Sequence, residues 1–145
     1  MSRRWPVLAL FGFWSLLIWG TRIDNIWADA GLTTSAKWGR TALAASFVLT
    51  GVAVLAMAWR TYRSDGPESD AVVRAVVGGA AVWTIGVWVI RGTAIAIGDH
   101  DTAFIVVHVV LAVLSIALAT WALFAVRSGE PIAATAAADA TPVAS

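Results

Sequence analysis

The chain has 145 residues, of which 59 % are hydrophobic and 13 % are charged, and its mean hydropathy is +0.79. This composition indicates an integral membrane protein, and 145 residues leave room for about four spans of roughly 20 residues each. A net charge of +1 gives no reason to expect nucleic-acid binding. The absence of cysteine excludes disulfides, thiolate metal sites and cysteine nucleophiles.

The first half of the chain predicts a hairpin of two transmembrane helices. This first hairpin, residues 1–63, has spans over about residues 6–23 and 41–59. Residues 64–70 then form a polar central loop, since the loop contains an Asp-Gly-Pro sequence that interrupts a helix.

The second half predicts another hairpin. Residues 71–127 have spans over about residues 73–97 and 103–126, and Thr102 is the expected N-cap of the last helix. Residues 128–145 are mostly small and polar and predict a disordered tail. The expected fold class is all-α, an integral membrane four-helix bundle made of two repeated transmembrane hairpins.

The distribution of positive charges predicts the orientation. Six arginines lie on the side of the termini, and four basic residues lie on the other side. The two sets are Arg3, Arg4, Arg60, Arg63, Arg74 and Arg127, and Arg22, Lys37, Arg40 and Arg91. The expected localisation is therefore the cell membrane, multi-pass, with both termini cytoplasmic.

One short pattern, Trp-x4-Trp-x2-Arg, occurs twice. Its copies are Trp14, Trp19 and Arg22, and then Trp83, Trp88 and Arg91. The offset between them is sixty-nine residues (83 minus 14). Because each half crosses the membrane twice, the pattern predicts a duplication whose copies are related by a pseudo-two-fold axis along the membrane normal.

The two halves also resemble short, Trp-rich, two-span membrane proteins of high-G+C Gram-positive bacteria, whose function is not known. The first half resembles the beginning of these proteins and the second half their end, and neither half has the whole pattern. The matching residues are Trp14, Trp19, Asn25, Trp27 and Asp29, and then Asp99 or Asp101, Thr102, Ala103, Phe104, Val107, His108, Leu111 and Ser115. The resemblance implies no activity.

Arg22 and Arg91 permit two interpretations. In the first, each arginine reaches the headgroups and stacks on the tryptophan three residues before it, Trp19 or Trp88. In the second, both arginines join nearby carboxylates in a polar cluster that binds an anionic headgroup or a partner's carboxylate. The carboxylates available are Asp24, Asp29, Asp99 and Asp101.

His108 lies inside the fourth span on a stripe of small residues, so we expect it to be packed and hydrogen-bonded across helices. The other histidine, His100, lies in a turn, which disfavours bis-histidine haem ligation. A divalent-cation site at Asp99, His100 and Asp101 lacks a fourth donor. The sequence therefore predicts no metal and no cofactor.

The remaining features indicate packing. Trp14, Trp83 and Trp121 lie deep in their spans and are candidates for core packing or for contact with another subunit. Ala75, Gly79 and Gly86 form a small-residue face on the third span.

The chain contains no recognisable nucleophile with a base and no phosphate loop, so we do not expect an enzyme. The expected function is that of an accessory or structural subunit, surrounded by membrane lipids, that packs against other membrane proteins or against itself. The alternatives are a small transporter or channel using the Arg/Asp/His residues, and a lipid or small-ligand binding module.

Overall fold

The computed structural model describes residues 4–63 and 69–127, which form four α-helices. The helices are α1 (Trp5–Ala28), α2 (Thr34–Arg63), α3 (Ser69–Ala96) and α4 (Thr102–Arg127). All four are long and apolar enough to cross a membrane. The prediction of an all-α, four-helix membrane fold is therefore confirmed. The predicted tail and residues 64–68 of the predicted central loop lie outside the described residues.

The helices of the first hairpin are longer than the predicted spans. Helix α1 continues five residues beyond position 23, to Ala28, and ends where the Asp29 carboxylate accepts the N–H of Gly31 at 2.9 Å. Helix α2 begins seven residues before position 41, because the Thr33 hydroxyl accepts the N–H of Ala36 at 3.3 Å and caps the helix. Local hydrogen bonds extend both helices beyond their apolar stretches.

The second hairpin differs from its predicted spans at all four helix ends, by one residue at three of them and by four at the start of α3. Helix α3 begins at Ser69, inside the predicted loop, and ends at Ala96. The predicted N-cap Thr102 is wrong, because the Asp101 carboxylate accepts the N–H of Phe104 at 3.0 Å. The cap is one residue earlier than expected, and Thr102 is the first helical residue of α4.

Helices α1 and α2 approach most closely at two glycines. A Cβ atom on Gly12 would lie 2.9 Å from the carbonyl oxygen of Gly51, and a Cβ on Gly51 would lie 3.0 Å from that of Gly12. The Ser15 hydroxyl donates to the carbonyl of Phe47 at 3.0 Å along the same contact. Missing side chains at these positions allow the two backbones to touch, as small residues do between membrane helices.

The core has two clusters, one near each end of the bundle. We call the end that carries connections 29–33 and 97–101 the connection end, and the opposite end the terminal end. The terminal-end cluster is aliphatic apart from Phe11 and includes the fully buried Leu8, Val54 and Val77. The connection-end cluster is aromatic: the Trp19 ring stacks on the Phe47 ring with centroids 4.1 Å apart.

Buried positions recur between the two hairpins. In α1 and α3 they recur sixty-nine residues apart (77 minus 8), and in α2 and α4 they recur sixty-eight residues apart (112 minus 44). The pairs are Leu8 and Val77, Phe11 and Ala80, Gly12 and Ala81, Ser15 and Thr84, Trp19 and Trp88, then Ala44 and Ala112, Phe47 and Ser115, Gly51 and Ala119, Val54 and Ala122, Ala58 and Val126.

Contacts between the hairpins occur at equivalent positions. The Trp14 indole N–H donates to the Ser115 hydroxyl at 3.0 Å, between α1 and α4. The Trp83 ring lies 5.9 Å from the Phe47 ring, between α3 and α2. A pseudo-two-fold axis would exchange these two contacts and would pass near Trp19 and Trp88, whose ring centroids are 6.0 Å apart.

Candidate functional site

Three arginines converge at the connection end. Arg22 lies six residues before the end of α1, Arg91 five residues before the end of α3, and Arg40 six residues after the start of α2. With a rise of 1.5 Å per residue, these distances are roughly 7–9 Å along the helices. Arg22 and Arg91 are half-buried, and the charges of Arg22, Arg40 and Arg91 are close enough to repel one another. We call these three residues the arginine cluster.

Aromatic rings lie about one helical turn from the arginine cluster, towards the middle of the bundle. The Arg22 guanidinium carbon is 6.0 Å from the centroid of the Trp19 ring, which is near the outer limit of a cation–π contact. The Trp19 ring in turn contacts the Trp88 ring. No corresponding contact joins Arg91 to Trp88 in the part of the chain that the structure describes. The stacking interpretation therefore describes Arg22 and does not describe Arg91.

The four aspartates predicted to pair with these arginines form no ion pair with them among residues 4–63 and 69–127. Asp29 and Asp101 instead accept backbone N–H groups at the ends of the connections. Asp24 and Asp99 are exposed. The connection end thus brings the cationic residues together without the carboxylates.

Trp88 carries a buried hydrogen-bond donor with no acceptor. Its side chain is 5 % exposed, and its indole N–H has no partner in the described chain. The indole can only donate, and leaving such a group unpaired costs about 1–3 kcal/mol. Trp88 precedes Arg91 by about one turn of α3, so the residue that carries the unpaired donor is next to the arginine cluster along that helix.

His108 does not make the expected hydrogen bond across helices. Its Nδ1 lies 2.9 Å from the carbonyl oxygen of Phe104 in the same helix. Because a carbonyl can only accept, Nδ1 carries the proton of this bond. The Nε2 atom is buried, with the residue 8 % exposed, and has no partner among the described residues.

The position of His108 follows from the packing of α3 on α4. A Cβ atom on Gly92 would lie 3.5 Å from the Cβ of Ala112. His108 is one turn nearer the connection end than Ala112, so it lies level with the last turn of α3. His100 contacts the Phe104 ring at 4.9 Å instead of approaching His108. Within the described ranges, no three potential metal-ligating side chains converge.

A second surface lies on the outer face of α3. Ala75, Gly79 and Gly86 are exposed, and a Cβ atom on either glycine would meet nothing within 4 Å. A groove of about 260 Å³ runs along this face between α3 and α2. Its lining comprises Thr50, Ala53, Ala75, Val76, Gly79, Ala80 and Trp83. We call the whole surface, the groove together with Gly86 beyond its lining, the α3 groove.

The terminal end carries interfacial aromatics. The Trp5 ring contacts Tyr62 edge-on at 5.4 Å, and the Arg63 guanidinium lies 4.4 Å from the Trp59 ring. Trp5, Trp59 and Tyr62 line a groove of about 450 Å³ between α1 and α2. Aromatic and basic side chains of this kind are typical of the headgroup level.

Sequence reasoning predicted two members of the arginine cluster and missed Arg40. The register of α1 against α2 in the first hairpin could have indicated that Arg40 belongs to the cluster. The Trp27 indole donates to Thr41 at 3.1 Å, which places Arg40 opposite the last turns of α1 in an antiparallel pair. The contact of Gly12 with Gly51 was also missed, although Gly51 lies seven residues from both Ala44 and Ala58 in a spaced pattern of small residues that could have indicated a close helix contact.

Comparison with models of protein families, with curated proteins and with solved structures gave no match. The resemblance to short two-span membrane proteins stays a prediction.

Proposed function

We propose that the protein is a non-catalytic membrane subunit that associates with another transmembrane helix through the α3 groove. The partner helix belongs either to a second copy of the chain or to another membrane protein. The observation that carries the proposal is the open space above Gly79 and Gly86.

The two kinds of glycine in this chain support the proposal. Gly12 and Gly51 allow two backbones to touch, whereas Gly79 and Gly86 lie in mid-helix and touch no neighbouring helix of the described chain. Glycine in a helix costs about 1 kcal/mol relative to alanine. A partner helix packed on this face gives these two glycines the role that Gly12 and Gly51 have inside the chain.

The shape of the surface suits a helix. Gly79 and Gly86 are seven residues apart (86 minus 79), which is two helical turns, so they lie on one face of α3. Trp83 lies between them, is half exposed at 42 % and borders the α3 groove. A small-residue surface beside an indole offers both close backbone approach and a large apolar contact.

We also propose that the hairpins arose by duplication and that the terminal end faces the cytoplasm of the cell. The recurring buried positions support the duplication, and the excess of arginines at the terminal end supports the orientation. Cysteines introduced at Asp65 and Asp99 test the orientation. Labelling of both from the same side of the membrane would refute four crossings.

The association is tested with leucine in the α3 groove. Gly79→Leu and Gly86→Leu fill the open space and leave the internal helix contacts intact. We expect each to weaken association at least about tenfold, since overpacking a close contact costs about 1–3 kcal/mol and 1.4 kcal/mol is tenfold in affinity. The measurement is the mass of the complex recovered from mild detergent, by sedimentation or light scattering.

The matched control is Gly20→Leu. Gly20 is also exposed, also meets nothing within 4 Å, and lies on α1 away from the α3 groove. Helix content by circular dichroism shows whether each variant folds. The proposal is refuted if the wild-type chain is recovered only as an isolated monomer without a stoichiometric partner, or if the groove variants associate as well as Gly20→Leu.

A further inference from the structure

We propose that the arginine cluster, with the indole N–H of Trp88, is a binding site for an oxyanion of the phosphate class. The anion is either the phosphate of an acidic phospholipid headgroup or free inorganic phosphate. This binding is separate from helix association, because the arginine cluster lies at the connection end whereas the α3 groove lies lower on the side of the bundle.

The first argument is an excess of donors. None of the guanidiniums of Arg22, Arg40 and Arg91 has a hydrogen-bond acceptor or an ion-pair partner among the described residues. Each guanidinium carries five N–H donors. Arg22 and Arg91 are half-buried and Arg40 is exposed. Like charges brought together repel one another, and a bound anion would relieve this repulsion.

The second argument is the buried indole. Trp88 is packed against Trp19, which also lies beneath Arg22. Trp88 precedes Arg91 by about one turn of α3, and its unpaired N–H is buried where water has little access. An oxygen atom of a bound anion would supply the acceptor that this N–H lacks.

The third argument is depth. Arg22 and Arg91 lie roughly 7–9 Å inside their helix ends, counted at 1.5 Å per residue. This is the level at which arginine side chains reach phospholipid headgroups. Arginine is also the side chain whose planar donors match the oxygens of a phosphate. A headgroup phosphate therefore fits the position of the site, and free phosphate fits its chemistry equally.

The test uses the full chain in a neutral detergent and has two arms. In one arm, sodium phosphate replaces sodium chloride at constant ionic strength, and the thermal unfolding midpoint is followed as phosphate rises. In the other arm, native mass spectrometry counts bound lipid after incubation with equal amounts of phosphatidylglycerol and phosphatidylcholine. Saturable stabilisation by phosphate identifies a free anion, and retention of phosphatidylglycerol over phosphatidylcholine identifies a headgroup.

Two substitutions remove the charges. We expect Arg22→Gln and Arg91→Gln each to weaken binding about tenfold, since a hydrogen bond to a charged group has roughly that effect. Trp88→Phe keeps an aromatic ring, although a smaller one, removes the N–H and weakens binding by a smaller factor. Arg63→Gln is the matched control, since Arg63 lies at the terminal end against Trp59 and its loss changes the net charge equally.

A further measurement excludes a folding artefact. Without ligand, the Arg22→Gln/Arg91→Gln double variant is expected to unfold at a higher temperature than the wild-type chain, because repulsion within the cluster is relieved. The proposal is overturned if neither phosphate nor phosphatidylglycerol binds saturably, or if the double variant binds as tightly as Arg63→Gln. A double variant that unfolds at a lower temperature than the ligand-free wild-type chain would also contradict it.

Discussion

The contact between Gly12 and Gly51 makes a quantitative prediction about the first hairpin. In Gly12→Ala the new methyl group would lie 2.8 Å from Cγ of Leu55 and 2.9 Å from the carbonyl oxygen of Gly51. The leucine side chain can rotate away, but the carbonyl belongs to the α2 backbone. Because ordinary C···O contacts are about 3.3–3.6 Å, α1 and α2 must separate locally to admit the methyl group.

The cost follows from that separation. A gap of about 0.5–1 Å forfeits a quarter to a half of the dispersion energy of the contacting atoms, and overpacking a closely packed core costs about 1–3 kcal/mol. Alanine also improves helix propensity by about 1 kcal/mol. Gly20→Ala gains the same propensity in open space, so the difference between the two variants isolates the packing cost.

The assay is the free energy of unfolding in mild detergent, measured by denaturant titration and followed by circular dichroism. We expect Gly12→Ala to be less stable than Gly20→Ala by about 1–3 kcal/mol, and Gly51→Ala to behave like Gly12→Ala. Equal stabilities of Gly12→Ala and Gly20→Ala would refute the close backbone contact.

Three hydrogen-bond variants and one control variant test the middle of the bundle. Trp14→Phe removes the bond to Ser115 and should cost about 0.5–1.5 kcal/mol, whereas Trp121→Phe, at an exposed position, should leave the unfolding free energy unchanged. Thr84→Val replaces a buried hydroxyl that has no partner in the described chain and should be neutral or stabilising. Ser15→Ala at the equivalent position should destabilise the protein by about 1 kcal/mol, because Ser15 donates to the Phe47 carbonyl. If Thr84→Val lost as much stability as Ser15→Ala, the Thr84 hydroxyl would have a hydrogen-bond partner, contrary to the structure.

The sequence was sufficient to predict the number and approximate place of the spans, because four apolar stretches long enough to cross a bilayer have few alternatives. Helix ends were harder to predict. Helix α2 begins at Thr34 because of the single cap at Thr33, whose hydroxyl holds the N–H of Ala36. This one local hydrogen bond makes the polar first turn of α2 helical, and a hydropathy profile contains no information about such a bond.

The candidate site was predictable in part for a related reason. Arg22 and Arg91 were predicted as site residues because a charge inside an apolar stretch is energetically costly. Arg40 lies outside the apolar part of α2, and only the register of α1 against α2 brings it to the other two. The aspartates were chosen because they are near in sequence, yet Asp29 and Asp101 are held by backbone N–H groups. Closeness in sequence does not show that backbone N–H groups compete with the arginines for these carboxylates.

The offsets that relate the buried positions of the two hairpins also relate the basic residues at the connection end. Counting sixty-eight residues from Arg40 leads to His108 (40 plus 68), the same offset that relates the buried faces of α2 and α4. Arg22 and Arg91 are related by the offset of α1 and α3. Each hairpin therefore contributes one arginine from its first helix and one basic side chain from its second, around the contact of Trp19 with Trp88.

The two second-helix residues differ in how they are held. Arg40 is exposed, whereas His108 is buried and its Nδ1 proton is bonded to its own helix. Arg40 and His108, which the sixty-eight-residue offset relates, are thus held differently. Ser15 and Thr84, which the sixty-nine-residue offset relates, also differ, since of these two only Ser15 has a hydrogen-bond partner in the described chain. In the proposed site an anion would meet Arg22 and Arg91, one from each hairpin, and Arg40 from α2, whereas the equivalent position in α4 offers an imidazole bonded to its own helix, so the anion would be held towards α2.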